Sequence, residues 1–447
     1  MALTSARCSS AAALTVFCLL TGMHLGAAAQ APKTKPGHDG PTIAEQCAKL
    51  MAPGWRAPQG RHQAAVPTPT RPQRGVAFLD PVHGTCLVRA TDHQADTGKG
   101  FLRNDYSRRQ AFNADSTRYF AFSEDGTWQL FDAATTQHLG RLQGLAGDAE
   151  PQWHPTNPEL LVYLPNNGVG MAMYELNVAT GNSRTIADFR QRIGQIWPDA
   201  QSVWTKSEGS PSADHRYWAF QVDSTKWQGL GLFTYDLEAD KIIATYDLRK
   251  NGKGRPDHLS MSPSGKHVVV SWDDGVVAFS RDFSQSKLLQ RKGEHSDIAV
   301  GADGEDVYIA VDYQSSGGQV FMMNLSNGQR TDLFPTYVSG TATALHFSGK
   351  AFKKPGWVLV STYADYGRAG QQWLHKKLFA VELKPQPTVL NLAHHQSVHT
   401  KYFTEPQASV NQDFTRILFS SNWGVPNESS VDAYMVVLPS DTLANRR

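Results

Sequence analysis

Histidines and carboxylates recur where short polar phrases lead into apolar runs. His258 follows Asp257 in "DHLSMS", His295 precedes Asp297 in "EHSDIAV", and "HHQSVHTKYF" contains His399. A neutral imidazole is a good ligand for divalent metals such as Mn or Zn, and a positioned imidazole or carboxylate can also move protons. The pattern indicates a polar site. A histidine at such a position can equally be a hydrogen-bonded structural residue or belong to a solvated loop.

The phrase Glu-Pro-Gln occurs twice, each time before a turn and a β-run. It opens "EPQWHPTNPELLVYL" (150–164) and "EPQASVNQDFTRILFSS" (405–421). Related phrases, such as "EGSPSADHRYWAFQV" and "DHLSMSPSGKHVVVSW", bring the units to seven, spaced roughly 37 to 64 residues apart. Each unit offers about four short strands, and such sheets bury both faces by stacking around an axis. The sequence therefore predicts an all-β, seven-bladed β-propeller of four-stranded antiparallel blades.

The two ends of the predicted propeller should meet in one blade. The last unit supplies the strands "ASVNQDFTRILFS" and "AYMVVLP", whereas the pair "GVAFLD" and "TCLVRATD" (75–92) precedes the first unit. Pairing these segments would remove exposed sheet edges. We therefore expect the N-terminal strands to close the ring by completing the seventh blade.

Residues just before the innermost strand of each blade should lie at the mouth of the central channel. In the two Glu-Pro-Gln copies the proline fixes the start of that strand. Equivalent positions in successive units would form a polar ring, although Glu150 and Glu405 could instead only bridge neighbouring blades. The ring positions are Arg108, Arg109, Glu150, Gln152, Glu208, Asp257, His258, His295, Asp297, Glu405 and Gln407.

Composition and the N-terminal residues predict an exported protein that does not bind nucleic acid. Lys and Arg number 43 against 41 Asp and Glu, whereas binding through phosphate contacts needs a clear basic excess. The stretch "AAALTVFCLLTGM" followed by "GAAAQ" is typical of a signal peptide, residues 1–29, and no other stretch is apolar enough to span a bilayer. A Pro-rich tether (30–75), the propeller (76–440) and a short tail (441–447) would follow, in a periplasmic or secreted monomer.

Two cysteines, Cys47 and Cys86, remain after the signal peptide. Such a pair in an exported chain is typical of one disulfide, which would join the Pro-rich segment to the first strand. Two free thiols are the alternative.

Three of the repeat phrases, "SPSGKHVVVS", "NQDFTRILFSS" and "NADSTRYFAF", resemble the inner-strand motif of TolB-like propellers. Over residues 76–440 the chain is similar to the wider superfamily that contains the oligogalacturonate lyases. That resemblance implies a divalent metal (Mn, Ca or Zn) at the mouth, which binds a uronate carboxylate while a base removes the adjacent proton. Gln396-x-x-His399 resembles the lyase ligand spacing, but Lys401 stands where the third ligand would fall.

The resemblance and the ring positions together give each candidate a role. The expected metal ligands are His258, His295, His399 and Gln407. Candidates for the base or the carboxylate clamp are Lys401, Tyr402 and Arg109. Substrate contacts would come from Arg108, Glu150, Gln152, Glu208, Asp257, Glu405 and, by stacking on a sugar ring, Trp423. His154, His215 and His346 are expected to be structural.

Two functions follow from this interpretation. The first is a carbohydrate-active protein, a metal-assisted lyase of uronate-containing oligosaccharides. The second is a non-catalytic TolB-like propeller that binds a glycan or an envelope protein at its mouth. A fold alone does not decide between them, so whether the protein is an enzyme stays open on the sequence.

Overall fold

The computed structural model describes residues 40–206, 208–367 and 370–444. The predicted signal peptide (1–29) and the first residues of the predicted tether lie outside the described residues. Within the described ranges, no helix is long and apolar enough to cross a membrane.

The N-terminal segment begins with helix α1 (Ile43–Leu50), which packs beside the first strands. Thr42 and Glu45 form a capping box at its start, which satisfies amides that the first helical turn leaves unpaired. Cys47 on this helix is disulfide-bonded to Cys86. The structure therefore contains the predicted disulfide, and it fixes α1 to the sheet.

The residues after α1 are docked on the sheets as well. Pro58 accepts a hydrogen bond of 2.9 Å from the backbone amide of Asn391. The Pro69 carbonyl accepts one of 3.0 Å from the indole of Trp423. In its described part, the segment that the sequence predicts as a tether therefore packs against the propeller body.

Antiparallel sheets of short strands make up that body, with only a few short helices between them. The strands before the first repeat are β1 (Ala77–Leu79) and β2 (Cys86–Arg89). The next sheets contain β3 (Phe101–Arg103), β4 (Arg118–Ser123), β5 (Trp128–Asp132) and β6 (His138–Arg141), then β7 (Gln152–Trp153), β8 (Leu160–Tyr163), β9 (Ala172–Asn177) and β10 (Ser183–Asp188), then β11 (Ala200–Trp204), β12 (Tyr217–Ser224), β13 (Gly229–Asp236) and β14 (Lys241–Asp247).

The second half repeats this arrangement. Its strands are β15 (His258–Met261), β16 (His267–Trp272), β17 (Gly275–Ser280) and β18 (Ser286–Gln290), then β19 (Ser296–Val300), β20 (Asp306–Asp312), β21 (Gln319–Asn324) and β22 (Arg330–Pro335), then β23 (Tyr337–Val338), β24 (Thr341–Ser348), β25 (Trp357–Gly367), β26 (Lys377–Glu382) and β27 (Val389–His394), and finally β28 (Ser409–Val410), β29 (Arg416–Ser421) and β30 (Val431–Val437). The short helices are α2 (His93–Asp96), α3 (Arg190–Ile196) and 3-10 turns at Asn166–Gly168, Tyr402–Thr404 and Glu428–Ser430.

The two chain ends meet in one sheet. β30 pairs with β29 on one side and with the N-terminal β2 on the other, in register from Cys86 opposite Val437 to Arg89 opposite Tyr434. β3 also lies parallel to β30 at residues 101–102. The seven-blade count stays a prediction from the repeat, and the pairing of β2 with β30 is what ring closure by the N-terminal strands requires.

The repeated phrases fold into the same turn. In "NADSTR" the Asn113 side-chain oxygen accepts the Arg118 amide at 2.9 Å, and in "NQDFTR" Asn411 accepts the Arg416 amide at 2.9 Å. An asparagine that bonds the backbone in this way stabilises a tight turn. Each turn thus delivers the following strand in a fixed register.

Candidate functional site at the propeller mouth

Polar side chains from several sheets meet beside the innermost strands. His258 is the first residue of β15, His295 directly precedes β19, His346 lies within β24, and Glu405 precedes β28. Because these strands hold equivalent places in successive sheets, their starts face a common space. We call the group formed by Tyr106, Arg108, Glu208, His258, His295, His346, Tyr363, His399 and Glu405 the mouth cluster.

Three histidines of the mouth cluster surround one tyrosine. The rings of His295 and His346 lie with centroids 4.2 Å apart. Tyr363 stacks on His346 at 4.8 Å and lies 5.3 Å from the ring of His399. It also contacts His295 edge-on at 5.8 Å. Residues from three separate parts of the chain therefore form one continuous aromatic group.

The hydrogen bonds of His295 and His346 assign their tautomers. Nδ1 of His295 lies 3.1 Å from the Leu345 carbonyl, so it carries the proton and leaves Nε2 with the lone pair. Nε2 of His346 lies 2.8 Å from Glu405, so its lone pair is on Nδ1, which is buried and has no hydrogen-bond partner. Burial lowers the pKa of each imidazole to about 3. Both rings are therefore neutral at pH 7.

Glu405 is the buried acid of this group. Burial raises its pKa, although the nearby His295 and His399 and the amide of Gln407 favour its charged form. The Nδ1 atom of His399 is also buried without a hydrogen-bond partner. The Nδ1 atoms of His346 and His399 and the carboxylate of Glu405 are thus polar groups that are largely shielded from water.

The other half of the mouth cluster is charged and already paired. Arg108 donates to the carboxylate of Glu208 and, at 2.5 Å, to the Ser296 carbonyl. Burial disfavours its charge, yet Tyr106 and Glu208 hold the pKa of Arg108 above its ordinary value. Arg108 also lies over the Tyr106 ring at 5.2 Å. The guanidinium thus joins β19 to the loop that carries Glu208.

His258 and Asp257 form an imidazole–carboxylate pair. Nδ1 of His258 lies 3.2 Å from Asp257 and 4.0 Å from Glu208. The hydrogen bond to His258 lowers the pKa of Asp257, and burial lowers that of His258, so the ring is neutral. Lys206 donates to the Asp257 carbonyl at 2.9 Å. With Nδ1 as the donor, Nε2 of His258 is left as a base.

The predicted metal ligands do not form one set in the described residues. Glu208, Asp257 and His258 do place three ligand atoms within 4.8 Å of one another, but the cations Arg108 and Lys206 already balance this group. In the part of the chain that the structure describes, the ring nitrogens of His295, His346 and His399 do not all lie within 4.8 Å of one another.

Gln407 is hydrogen-bonded to residues beside the mouth cluster. Its side-chain oxygen accepts from Arg103 at 2.6 Å, and its carbonyl accepts from Asn104 at 2.6 Å. The backbone of Gln407 has φ of 42°, a strained conformation for a residue with a Cβ. These contacts correct the expected role: the oxygen that a metal would need is bound to a guanidinium.

Three ring positions bridge neighbouring sheets. Glu150 accepts from the amide and hydroxyl of Thr205 at 2.9 and 3.0 Å. Gln152 donates to the Gly209 carbonyl at 3.0 Å. Arg109 donates to the carboxylate of Asp105 and, at 3.2 Å, to the Pro151 carbonyl. Arg109, Glu150 and Gln152 therefore make contacts within the protein, and the substrate and base roles expected for them stay predictions.

Lys401 and Trp423 lie away from the cluster. The Lys401 side chain is 75% exposed and its amine is 3.6 Å from Glu428, so it is neither desolvated nor aimed at the histidines. Trp423 is only 7% exposed and stacks on Tyr434 at 4.5 Å. Its covered ring cannot stack on a sugar, and both predictions are corrected.

Tyr402 keeps a place at the mouth. Its ring is 41% exposed and lies 5.7 Å from the Arg103 guanidinium. Desolvation of its hydroxyl and the nearby charge of Glu208 raise the pKa of Tyr402. The phenol is therefore a hydrogen-bond donor at neutral pH and cannot be a base.

The sequence interpretation gave His346 only a structural role and did not single out Tyr363 or Tyr106 for the site. His346 and Tyr363 lie on the paired strands β24 and β25, within the apolar runs "TATALHFS" and "WVLVSTYADYG". The signal that could have identified His346 as a site residue is a polar side chain inside an apolar, buried run. A buried imidazole needs hydrogen-bond partners from elsewhere in the fold.

The chain was compared with known proteins. No protein-family model matches it, and neither does any curated protein sequence. Among solved structures, an oligogalacturonate lyase from Vibrio parahaemolyticus has a TM-score of 0.57 and 12% identity, covering 81% of this chain and 96% of the lyase. The chain has the β-propeller fold. An oligogalacturonate lyase in complex with manganese gives a TM-score of 0.58 at 12% identity, covering 87% of this propeller and 100% of the lyase.

Identity this low makes the likeness one of fold. A putative TolB from Agrobacterium tumefaciens matches 60% of the propeller at a TM-score of 0.36, too weak a likeness to support an argument. The predicted fold class, an all-β propeller like that of the oligogalacturonate lyases, is confirmed.

Proposed function

We propose that this propeller is an exported, carbohydrate-active protein that binds uronate-containing oligosaccharides at the mouth cluster and cleaves them by β-elimination. The observation that carries the proposal is the group of imidazoles around Tyr363, with buried Nδ1 atoms of His346 and His399 that lack partners. Burying polar nitrogen atoms without hydrogen-bond partners destabilises the folded protein unless a bound ligand supplies the missing partners. The likeness to oligogalacturonate lyases is a second, fold-level support.

The donors present suit a divalent metal. His346 and His399 would hold it through Nδ1, with Glu405 supplying negative charge beside them. Imidazole and carboxylate ligands suit Mn or Zn, and the ion would have to draw these side chains closer than they now lie. When bound, such an ion stabilises the negative charge that develops on a uronate carboxylate during elimination.

The protein's own groups would carry out the proton transfer. His258, held by Asp257, presents Nε2 as the base that takes the proton from the carbon next to the carboxylate. The electron pair of that C–H bond forms a carbon–carbon double bond, and the glycosidic oxygen leaves the neighbouring carbon with the electron pair of the C–O bond and takes up a proton from water. Arg108 would bind the carboxylate as a clamp in place of Glu208.

Activity is tested by incubating the purified mature chain with oligogalacturonate and other uronate oligosaccharides, with and without Mn²⁺. The expected product is an unsaturated uronate, detected by its ultraviolet absorbance and by mass spectrometry. His258→Gln should abolish the product while the protein stays folded, and His154→Gln is the matched control. The absence of unsaturated product with every uronate substrate would refute the lyase proposal.

Export is part of this proposal. The disulfide between Cys47 and Cys86 is of the kind that persists in oxidising compartments. It is compatible with a periplasmic or secreted protein.

A non-catalytic binding module is the second candidate, and one observation favours it. Arg108 is paired with Glu208, and His346 is paired with Glu405, so these side chains have partners without any ligand. Lys401 stands at the position where the lyase pattern has a third metal ligand. If the protein is such a module, it should bind a glycan on an array or retain a partner in a pull-down from envelope extracts, and it should cleave no sugar. That result would favour this candidate.

A further inference from the structure

A second cluster of histidines lies away from the mouth, where the N-terminal hairpin meets the sheet of β23–β27. Asp80 and His83 belong to the turn between β1 and β2, and His394 is the last residue of β27. The ligand atoms of these three side chains lie within 4.8 Å of one another. All three side chains are buried, with exposures of 3%, 4% and 1%.

The imidazoles of this cluster lack hydrogen-bond partners. Nε2 of His83 and both ring nitrogens of His394 are buried without one. Burying three such atoms in one place lowers the stability of the folded protein, because each loses its hydrogen bonds to water on folding. The Nδ1 atom of His394 lies 3.5 Å from Oδ2 of Asp80, too far for a strong hydrogen bond.

That separation suits two ligands of one metal ion. With ligand bonds of about 2.0–2.1 Å, a tetrahedral zinc holds neighbouring ligand atoms about 3.3–3.4 Å apart. The backbone of the turn fixes the carboxylate: Asp80 accepts the amides of Val82 and His83 at 2.9 and 2.8 Å, and that of His394 at 2.8 Å. Ligands oriented in this way by neighbouring hydrogen bonds are typical of metal sites.

The charge state of the cluster is compatible with a cation. Burial lowers the pKa of His83 to about 4, so its ring is neutral. Burial opposes the charge of Asp80, but the neighbouring His394, through its ring and its backbone amide, keeps the pKa of this carboxyl low. Lys377 is the nearby cation, and it already donates to the side-chain oxygen of Asn391 at 2.9 Å.

We propose that Asp80, His83 and His394 form a structural zinc site that clamps the N-terminal hairpin to the sheet of β23–β27. The rings of His83 and His394 are stacked at 4.8 Å with 14° between their planes, so one ring turns toward the ion on binding. A water molecule completes the tetrahedron. The site is independent of the proposed function, because none of its ligands belongs to the mouth cluster.

The zinc content of the purified chain tests this proposal. We expect His83→Gln to hold one zinc ion fewer than the wild type after dialysis, and to lose the rise in melting temperature that zinc gives the wild type. His138→Gln is the matched control, since His138 on β6 bonds Gln129 on β5 and is not one of the proposed ligands. An ion at the mouth would instead be lost in His399→Gln.

A measurement on the wild type decides the matter if His83→Gln does not fold. Crystals grown with zinc should show an anomalous peak between Asp80, His83 and His394. No peak at these residues, or equal zinc content in folded His83→Gln and wild type, would overturn the site.

Discussion

A buried ion pair joins β19 to the residues that follow β24, close in sequence to His295 and His346. Lys350 donates to Asp297 at 2.9 Å, and the Gly349 amide donates to the other carboxylate oxygen at 2.7 Å. Asp297 follows His295 by two residues, and Lys350 follows His346 by four. Only 3% of Asp297 and 4% of Lys350 are exposed. We therefore expect this pair to set both the stability of the fold and the geometry of the mouth.

Lys350→Met should be strongly destabilising. It leaves the charge of Asp297 buried with only the Gly349 amide, and breaking a buried pair from one side costs about 3–5 kcal/mol. At about 2.1 cal/mol/K of unfolding entropy per residue, the roughly 400 described residues give about 0.8 kcal/mol per degree. The expected fall in melting temperature is thus about 4–6 °C.

The matched control is the double variant Asp297→Asn/Lys350→Met, which removes both charges and keeps the acceptor for Gly349. It should recover most of the loss, since replacing a whole buried pair is often nearly neutral. Calorimetry and denaturant titration measure both variants. A single variant within about 1 °C of the wild type, or a double variant less stable than the single one, would refute the reasoning.

Three further predictions follow from other parts of the structure. Replacing Cys47 and Cys86 by alanine should lower the free energy of unfolding by about 3–4 kcal/mol. The bridged residues lie 39 apart in sequence, and a disulfide that closes a loop of this length restricts the unfolded chain. An unchanged denaturation curve would contradict this. The free energy of unfolding should be constant above pH 6.5 and should fall as the pH drops toward 3. Burial lowers the pKa of His295 and His346 to about 3, so in this range the unfolded chain binds more protons than the folded one. If the free energy of unfolding of His346→Gln depends on pH as steeply as that of the wild type, the prediction is wrong. Lys401→Ala should change stability by less than about 0.5 kcal/mol and leave sugar binding intact, since this lysine is exposed; a tenfold loss of binding would return it to the site.

The fold could be predicted from the sequence because its signals are local and repeated. The asparagine turns at Asn113 and Asn411 use the same letters and make the same hydrogen bonds. The alternating runs between such turns then form strands that bury both faces by stacking. A pattern of this kind needs no knowledge of distant contacts.

The site could be predicted only in part, because its chemistry depends on contacts between sheets. His258, His295 and Glu405 were predicted from their places before β-runs, and His399 was predicted from its spacing to Gln396. His346 was given only a structural role because it lies within an apolar run, and only the fold shows that it bonds Glu405. Trp423 was misassigned since the sequence does not show that the N-terminal segment covers it.

The most direct test of the account is the binding of a uronate oligosaccharide by isothermal titration calorimetry, with Mn²⁺ present. Wild-type protein should bind it, should fail to bind the same sugar with its carboxyl groups reduced, and should lose binding in His346→Gln. His154→Gln should bind like the wild type. Equal binding of the carboxyl-reduced sugar, or undiminished binding in His346→Gln, would contradict the assignment of the mouth cluster as a site for anionic sugars.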